Sequence, residues 1–94
     1  MKNGGFVFTG VTLKQPKGFT ALCLDLDVAS EGATPKKAQR SLYEAVTLYL
    51  ETAFENNLPY LRPVPKDQDP RFHDPDSIHG AFDLHIDIKI QTHA

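Results

Sequence analysis

The feature that most constrains the fold is a long amphipathic segment in the middle of the chain, TPKKAQRSLYEAVTLYLETAFENN, residues 34–57. Its apolar residues recur every three or four positions, which is the spacing of one helix face. They are Ala38, Leu42, Ala45, Tyr49 and Ala53, with Val46, Leu50 and Phe54 widening the stripe. Thr34 suits an N-cap, Pro35 suits the first helical position, and Asn56 favours a stop. The pattern predicts a helix over residues 35–55 that needs a covering layer.

Three segments before this helix have the composition of β-strands. They are FVFTGVTLK (residues 6–14), FTALCL (19–24) and DVAS (27–30), which are rich in β-branched and aromatic residues. Both faces of the second strand are apolar, so we expect it to be central or to meet another subunit. Gly32 then marks the turn toward the helix, where a glycine can adopt a positive φ.

The end of the chain, FDLHIDIKIQT (residues 82–92), alternates apolar and polar residues without a break. Such alternation predicts a half-buried strand with its polar residues facing solvent. Residues 57–81, between the helix and this strand, contain five prolines and no periodic pattern. They predict a long proline-rich loop, and loops of this length in small domains often have a functional role.

The order β-β-β-α-loop-β predicts an α+β two-layer sandwich, in which one long helix covers one face of a mostly antiparallel sheet. A chain of 94 residues has room for one domain, residues 1–94. A right-handed crossover after the helix can place the last strand parallel to a neighbour. The expected core is Phe8, Val11, Leu22, Leu24 or Cys23, Val28, Ala38, Leu42, Ala45, Tyr49, Leu84, Ile86 and Ile88.

Composition and charge exclude several function classes. A net charge of −2 gives no basic footprint for nucleic acid. A single cysteine excludes an internal disulfide and a zinc site built from several cysteines. The sequence has neither a signal-peptide pattern nor an apolar run of about 20 residues, so we expect a cytoplasmic, bacterial-type protein without a membrane span.

The strongest family signal lies in residues 26–51, LDVASEGATPKKAQRSLYEAVTLYLE. A strand ends in alternating Asp and Leu, a small-residue turn reads Ser-x-Gly-x-Thr, and a helix follows with Ala, Leu and Glu-Ala at set spacings. The positions are Asp25, Leu26, Asp27, Ser30, Gly32, Thr34, Ala38, Leu42, Glu44 and Ala45. With this pattern the sequence resembles the HicB-like antitoxin family, and the resemblance implies a HicB-like fold.

The resemblance also implies a function. Proteins of this family are typically non-enzymatic antitoxins that bind and neutralise a small basic RNA-cleaving toxin, and they form dimers or tetramers. Many carry a carboxy-terminal DNA-binding motif, but this chain has only a loop and one strand after the helix, so we expect no operator binding. Lys36 and Lys37 stand where the family usually has acidic residues, and with Arg40 they form a small basic patch.

The residues themselves also favour self-association. The second strand has an apolar second face and the last strand is rich in isoleucine, which together exceed what one helix covers. We therefore expect a homo-oligomer. An alternative to the antitoxin is a stand-alone oligomeric HicB-like domain that binds another protein or a small ligand through the loop at residues 57–81.

A third hypothesis is a metal-dependent, nuclease-like enzyme. Asp25 and Asp27 are two residues apart, so on a continuing strand they would share one face and could hold Mg²⁺. Such chemistry needs further carboxylates from other elements, and the sequence favours polar strand ends instead. With Glu31, the two aspartates can also form an acidic rim for a basic partner. The predicted partner-binding residues are Asp25, Asp27, Glu31, Lys36, Lys37 and Arg40.

Other reactive residue types favour structural roles. Cys23 lies between apolar neighbours in a strand, which is typical of a buried small hydrophobe rather than a nucleophile. His85 lies on the polar face of the last strand, where a solvated position is expected. The loop residues His73, Asp74, Asp76 and His79 are of metal-ligand types, but their spacing matches no established motif. The sequence therefore predicts no catalytic residue, cofactor or metal site.

Overall fold

The computed structural model describes residues 2–90 and confirms the β-β-β-α-β order. The strands are β1 (Lys2–Gln15), β2 (Gly18–Cys23), β3 (Val28–Gly32) and β4 (Ile78–Ile90), with the long helix α1 (Pro35–Glu55) between β3 and β4. A short helix α2 (Pro70–His73) and two single 3-10 turns, Lys66–Gln68 and Pro75–Ser77, precede β4. The predicted end of the last strand at residue 92 lies outside the described residues.

Helix α1 begins and ends at local signals. The Thr34 hydroxyl accepts a hydrogen bond of 3.1 Å from the backbone N–H of Lys37, and Pro35 occupies the first turn. At the other end, the Asn56 side chain donates to the carbonyl oxygen of Thr52 at 2.8 Å. The helix therefore covers the residues that the spacing predicts, because capping groups satisfy free backbone groups at both ends.

The sheet is antiparallel throughout, in the order β3-β2-β1-β4. The expected parallel crossover is therefore wrong. Backbone N–H groups of Arg62 and Val64 donate to the carbonyl oxygens of Asp25 and Leu24, beside the end of β2. The chain then crosses the sheet and enters β4 opposite Leu13, at the hairpin end of β1. From that end, β4 can only run back along β1, which makes the pair antiparallel.

The main core lies between α1 and one face of the sheet. Its buried residues are Phe8, Ala21, Cys23, Leu26, Ala38, Leu42, Val46, Leu50, Leu84, Ile86 and Ile88. On the helix, Val46 and Leu50 are fully buried, whereas the predicted core residues Ala45 and Tyr49 are only half-buried. The fully buried helix residues follow one another in steps of four from Ala38 to Leu50. The centre of the buried helix face is therefore shifted by one residue from the predicted face, which passed through Ala45 and Tyr49.

Leu22 and Val28, also predicted in the core, are half-buried as well. Leu22 lies opposite Val11 on the face of the sheet away from α1, and Val28 begins the edge strand β3. Leu22 is partly solvated because no long helix covers its face of the sheet, and Val28 is partly solvated because it lies on an edge strand. The sequence predicts that either Cys23 or Leu24 is a core residue. In the structure both are buried, on opposite faces of the sheet.

Gly32 is required for close packing rather than for a positive φ, which corrects the expectation from sequence. Only Gly18 among the described glycines has a φ in the left-handed range, at 151°. A Cβ on Gly32 would lie 2.7 Å from the carbonyl carbon of Lys37 and would clash with the backbone nitrogen of Ala38. The glycine therefore allows the first turn of α1 to contact the end of β3.

Residues 57–81 are more structured than the predicted loop. They contain α2 and the two 3-10 turns, and β4 already begins at Ile78. His79 is the extra residue of a bulge, because Thr12 pairs with Gly80 while Leu13 pairs with Ile78. The bulge breaks the strict alternation that marks the rest of the strand, so the sequence pattern begins only at Phe82.

The same segment covers part of the sheet face away from α1, which we call the open face. Val11 points to this face and is nevertheless only 1% exposed. Leu24 is buried on the same face, and Asp69 and Pro70 of the crossing segment are buried too. A second, smaller core therefore lies between residues 62–77 and the middle of the sheet.

Candidate protein-binding surface

The part of the open face formed by β1 and β4 beyond this crossing segment is uncovered. Its exposed residues are Gly5, Val7, Thr9, Ala81, Asp83, His85 and Asp87. Val7, at its centre, is 62% exposed and lies directly opposite His85. Asp83 lies opposite Thr9, and Asp87 lies opposite Gly5, so both carboxylates are diagonal neighbours of Val7.

Asp25 lies at the border of this surface. Its carboxylate accepts a hydrogen bond of 2.7 Å from the backbone N–H of Thr9. Three carboxylates, those of Asp25, Asp83 and Asp87, therefore surround an exposed valine. We call Val7 with these three residues the acidic face.

Asp25 also has a structural role. Its backbone carbonyl accepts from Arg62 at 3.0 Å, so the residue connects β1, the turn after β2 and the segment after α1. The pKa of Arg71 is raised, mainly by side-chain hydrogen bonds to Asp69 and to a smaller extent by the charge of Asp25. A carboxylate oxygen that accepts a backbone N–H is suited to fixing the fold, while its charge still adds to the local negative potential.

Asp27 does not share a strand face with Asp25. The strand ends at Cys23, and the backbone N–H of Asp27 donates to the carbonyl of Cys23 at 3.0 Å in a tight turn. Asp27 is exposed and has a φ of 54°, a left-handed conformation that aspartate tolerates better than most residues. Within residues 2–90 no group of three or more His, Cys, Asp or Glu side chains is arranged to hold a metal ion.

The remaining predicted binding residues lie at the other end of β3. Glu31 pairs with Thr20 and is exposed, whereas Asp27 directly precedes the first residue of β3. Lys36 and Lys37 are exposed on the first turn of α1, and Arg40 follows one turn later. The structure thus brings Glu31 close to the basic residues and separates it from the two aspartates.

The crossing segment contains a compact ion pair. The Asp69 carboxylate accepts from the backbone N–H of Arg71 at 2.9 Å and from its guanidinium at 2.8 Å. These side-chain hydrogen bonds lower the pKa of Asp69. His73 lies with its ring nitrogen 3.2 Å from the carbonyl of Gln68, and His79 packs edge-on against Phe19 at 5.2 Å. The two histidines therefore have separate local contacts.

Cys23 is fully buried among the apolar residues under α1. Burial raises the pKa of its thiol from 9.0 to about 11. A protonated, inaccessible thiol is a poor nucleophile, so the position fits the packing role that its neighbours in the sequence predict.

A second exposed apolar surface lies on the outer side of α1, where the chain returns after the helix. Leu48 is 65% exposed and Leu58 is 56% exposed. With Ala45, Tyr49, Thr52, Ala53 and Pro59 they line a shallow depression of about 430 Å³. We call it the helix depression. Sequence periodicity could not reveal it, because it depends on where residues 58 and 59 fold back.

The apolar residues of β2 and β4 that we expected one helix to leave exposed are largely covered within one chain. Leu84, Ile86 and Ile88 of β4 are each no more than 5% exposed. An aromatic cluster of Phe6, Phe54 and Tyr60, with ring centroids 5.3 to 5.8 Å apart, packs against this core. Residues 62–77 cover the second face of β2 in part. Exposed apolar area on these two strands is therefore no longer an argument for a homo-oligomer.

The alternation in the sequence predicts only that Asp83, His85 and Asp87 face solvent on one side of a strand. The signal that could have identified the acidic face was present in the strict alternation of β4. What was missing was the partner strand, since the pairing of β4 with β1 is what places Val7 among the carboxylates.

No family model matches the sequence, and no curated protein is similar to it. Among solved structures, the fold is similar to a chain of a "HicA3 and HicB3 toxin-antitoxin complex". The TM-score is 0.55 at 21% sequence identity, over 90% of this chain and 100% of that chain. At this identity the likeness shows the fold. None of the helices in the described part of the chain is long and apolar enough to cross a membrane.

Proposed function

We propose that the protein is a non-enzymatic antitoxin of the HicB-like kind, which neutralises a small basic RNA-cleaving toxin by binding it with the acidic face. The observation that carries the proposal is the exposed Val7 surrounded by three carboxylates. The fold likeness to a toxin-antitoxin complex and the sequence resemblance at residues 26–51 support it. Both point to a protein partner, and the acidic face adds the sign of the charge that this partner should carry.

The physics of such a surface fits a basic protein. Carboxylates at the rim of an interface steer a cationic partner and raise its association rate. Val7 provides an apolar centre whose burial contributes about 1 kcal/mol. A standard interface buries about 800 Å² per partner, so the contact must extend along the exposed part of the ribbon formed by β1 and β4.

Asp25 borders the acidic face and belongs to this proposal directly. We propose Asp27, Glu31 and the basic patch of Lys36, Lys37 and Arg40 as outer contacts, which lie beyond the acidic face and meet the toxin only at its margin. Their expected contribution is small, because exposed charge pairs usually contribute between 0 and about 1 kcal/mol.

The test is binding of the small basic protein encoded by the neighbouring gene, measured by calorimetry with a catalytically inactive form of that protein. The double variant Asp83→Asn/Asp87→Asn should weaken binding about tenfold, mainly through slower association. The matched control is Glu44→Gln/Glu51→Gln, which removes the same charge from exposed positions on α1. The control should bind like the wild type.

Two outcomes contradict the proposal in different ways. Equal weakening by both double variants would mean that only net charge matters and that the acidic face is not the contact surface. Failure of the wild-type chain to bind the basic protein, or to relieve its toxicity on co-expression, would overturn the antitoxin function itself.

A second candidate function rests on the helix depression. Its exposed leucines suit an apolar segment of another protein, as expected for a stand-alone domain that binds a partner through the region after the helix. Leu48→Ser/Leu58→Ser should abolish such binding and leave binding to the acidic face intact. If the basic protein fails to bind while another partner depends on these leucines, this second function replaces the first.

A further inference from the structure

The outer edge of β4 is the longest unpaired edge in the described sheet. The strand has 13 residues and lies at the end of the strand order, so one side of its backbone has no neighbour. From Gly80 to Ile90 its pairing with β1 is regular, and it contains no proline. Long regular edges are usually shortened, bent or covered in natural proteins, because they readily pair with another strand.

We propose that two copies of the chain pair through this edge, with their β4 strands antiparallel about a two-fold axis at Ile86. The result is a continuous eight-stranded sheet with both α1 helices on one side. The proposal goes beyond toxin binding and does not depend on it. Self-association is thereby assigned to backbone pairing instead of to exposed apolar area.

The position of the axis follows from charge. In a two-fold antiparallel pair, directly opposite residues share a sheet face, so the axis must pass through a residue and not between two residues. An axis at His85 would set Asp83 opposite Asp87 of the second copy, and an axis at Asp87 would set that residue opposite itself. Both arrangements oppose like charges, which destabilises strand pairing.

An axis at Ile86 gives the opposite result. His85 lies opposite Asp87 of the second copy, and by symmetry this pair occurs twice. Asp83 falls at the register position opposite Lys89 of the second copy, also twice. An axis at Leu84 sets Asp83 opposite His85 but leaves Asp87 opposite Ala81. An axis at Ile88 would set Asp87 opposite Lys89 but would pair only residues 86–90 of the described strand, whereas the axis at Ile86 pairs residues 82–90. The Ile86 register therefore combines the longer paired stretch with opposite or hydrogen-bonding partners for Asp83, His85 and Asp87.

The rest of the fold leaves this edge accessible. Helix α1 packs mainly on β2 and β3 and makes few contacts with β4. The short segment before β4 enters at the hairpin end, beside Leu13, so it lies away from Ile86. Strand pairing alone buries less area than a standard interface, so we expect a dissociation constant in the micromolar range.

Sedimentation equilibrium of the chain alone tests the proposal, because the toxin is absent and failure of the proposed function cannot affect the result. The wild type should be dimeric at roughly 100 μM, well above a micromolar dissociation constant. In the variant His85→Asp, the new aspartate of each copy lies opposite Asp87 of the other copy. These two like-charge pairs should weaken the dimer about tenfold. Gln68→Glu, which adds the same charge on the exposed crossing segment, should leave the dimer unchanged.

The exchange variant His85→Asp/Asp87→His identifies the register. With the axis at Ile86 it restores an Asp–His pair and should recover wild-type dimerisation. With the axis at Leu84, Asp83 would still face an aspartate and the dimer would stay weak. All three positions in these variants, residues 68, 85 and 87, are exposed, and circular dichroism checks that each variant is folded. A monomeric wild type, or a dimer insensitive to His85→Asp, would overturn the proposal.

Discussion

The phenolic hydroxyl of Tyr49 on α1 donates a hydrogen bond of 2.7 Å to the backbone carbonyl of Tyr60 in the returning chain. The ring of Tyr60 in turn packs edge-on against Phe6 and Phe54, with centroids 5.7 and 5.3 Å apart. Through these contacts, the end of the helix, the segment after it and the start of β1 are held together. The helix depression depends on this region for its shape, because Tyr49, Leu58 and Pro59 are among the residues that line it.

Removal of the Tyr49 hydroxyl should therefore destabilise the protein. Tyr49→Phe leaves the partly buried Tyr60 carbonyl without its partner, and we expect the free energy of unfolding to fall by about 1 kcal/mol. Urea denaturation followed by circular dichroism measures the change. Tyr43→Phe is the control, because Tyr43 is exposed on the same helix and should change stability by no more than a few tenths of a kcal/mol. Equal effects of both variants would contradict the structural role of Tyr49.

Gly32→Ala should cost about 2 kcal/mol or more of stability. The added methyl group meets the backbone of Lys37 and Ala38, which cannot move without displacing the first turn of α1. Gly80→Ala is the matched control, since a Cβ there would lie 3.7 Å from the Thr12 hydroxyl, an ordinary contact. We expect the control to be neutral or slightly stabilising, because alanine lowers the entropy of the unfolded chain. Thermal denaturation of both variants distinguishes the effect of close packing at Gly32 from the general effect of replacing a glycine with alanine.

The predictable parts of the fold are those determined by neighbouring residues. Helix α1 could be located to the residue because Thr34, Pro35 and Asn56 act within one turn of its ends. The polar–apolar alternation of β4 identified a strand for the same reason. The β-β-β-α-β order and the α+β class follow from these local patterns taken in sequence.

The remaining features depend on contacts between distant residues. The pairing of Phe8 with Leu84 joins positions that nothing in the local sequence connects, so neither the strand direction nor the acidic face could be derived. The same is true of Phe82, whose ring occupies the space above Gly10 on the adjacent strand. For Gly32, a glycine predicts a turn and a close contact equally well, and only the position of α1 distinguishes them.

The Asp69–Arg71 pair should make stability depend on pH in the acidic range. Side-chain hydrogen bonds from Arg71 hold the pKa of Asp69 below its ordinary value of 3.8, so the folded state favours the carboxylate. This contribution is complete above pH 3.8 and is lost as the pH falls through the lowered pKa of the folded state. Asp69→Asn should cost about 0.5 to 1 kcal/mol at pH 7, because Arg71 is half-exposed and the ion pair is screened.

The difference between the wild type and Asp69→Asn should then begin to shrink at about pH 4 and reach its minimum below the lowered pKa of Asp69, where both proteins carry a neutral group. Urea titrations at a series of pH values measure it. Asp67→Asn is the control, because Asp67 is exposed on the preceding turn. A constant difference across the whole acidic range would show that Asp69 acts through its shape as a helix cap and not through its charge.

Cys23 should react with thiol reagents only when the protein unfolds. Its side chain is inaccessible under α1, and burial raises the thiol pKa to about 11, so little thiolate forms at neutral pH. We expect labelling at pH 8 to be at least about a thousandfold slower than for a free thiol, because only rare open states react. Ala33→Cys in a Cys23→Ala background gives the matched control, since residue 33 is exposed beside the helix start. Its thiol should label rapidly. Small additions of urea should accelerate labelling of Cys23 in proportion to the unfolded fraction, whereas equally rapid labelling of both cysteines would contradict the burial of β2 beneath α1.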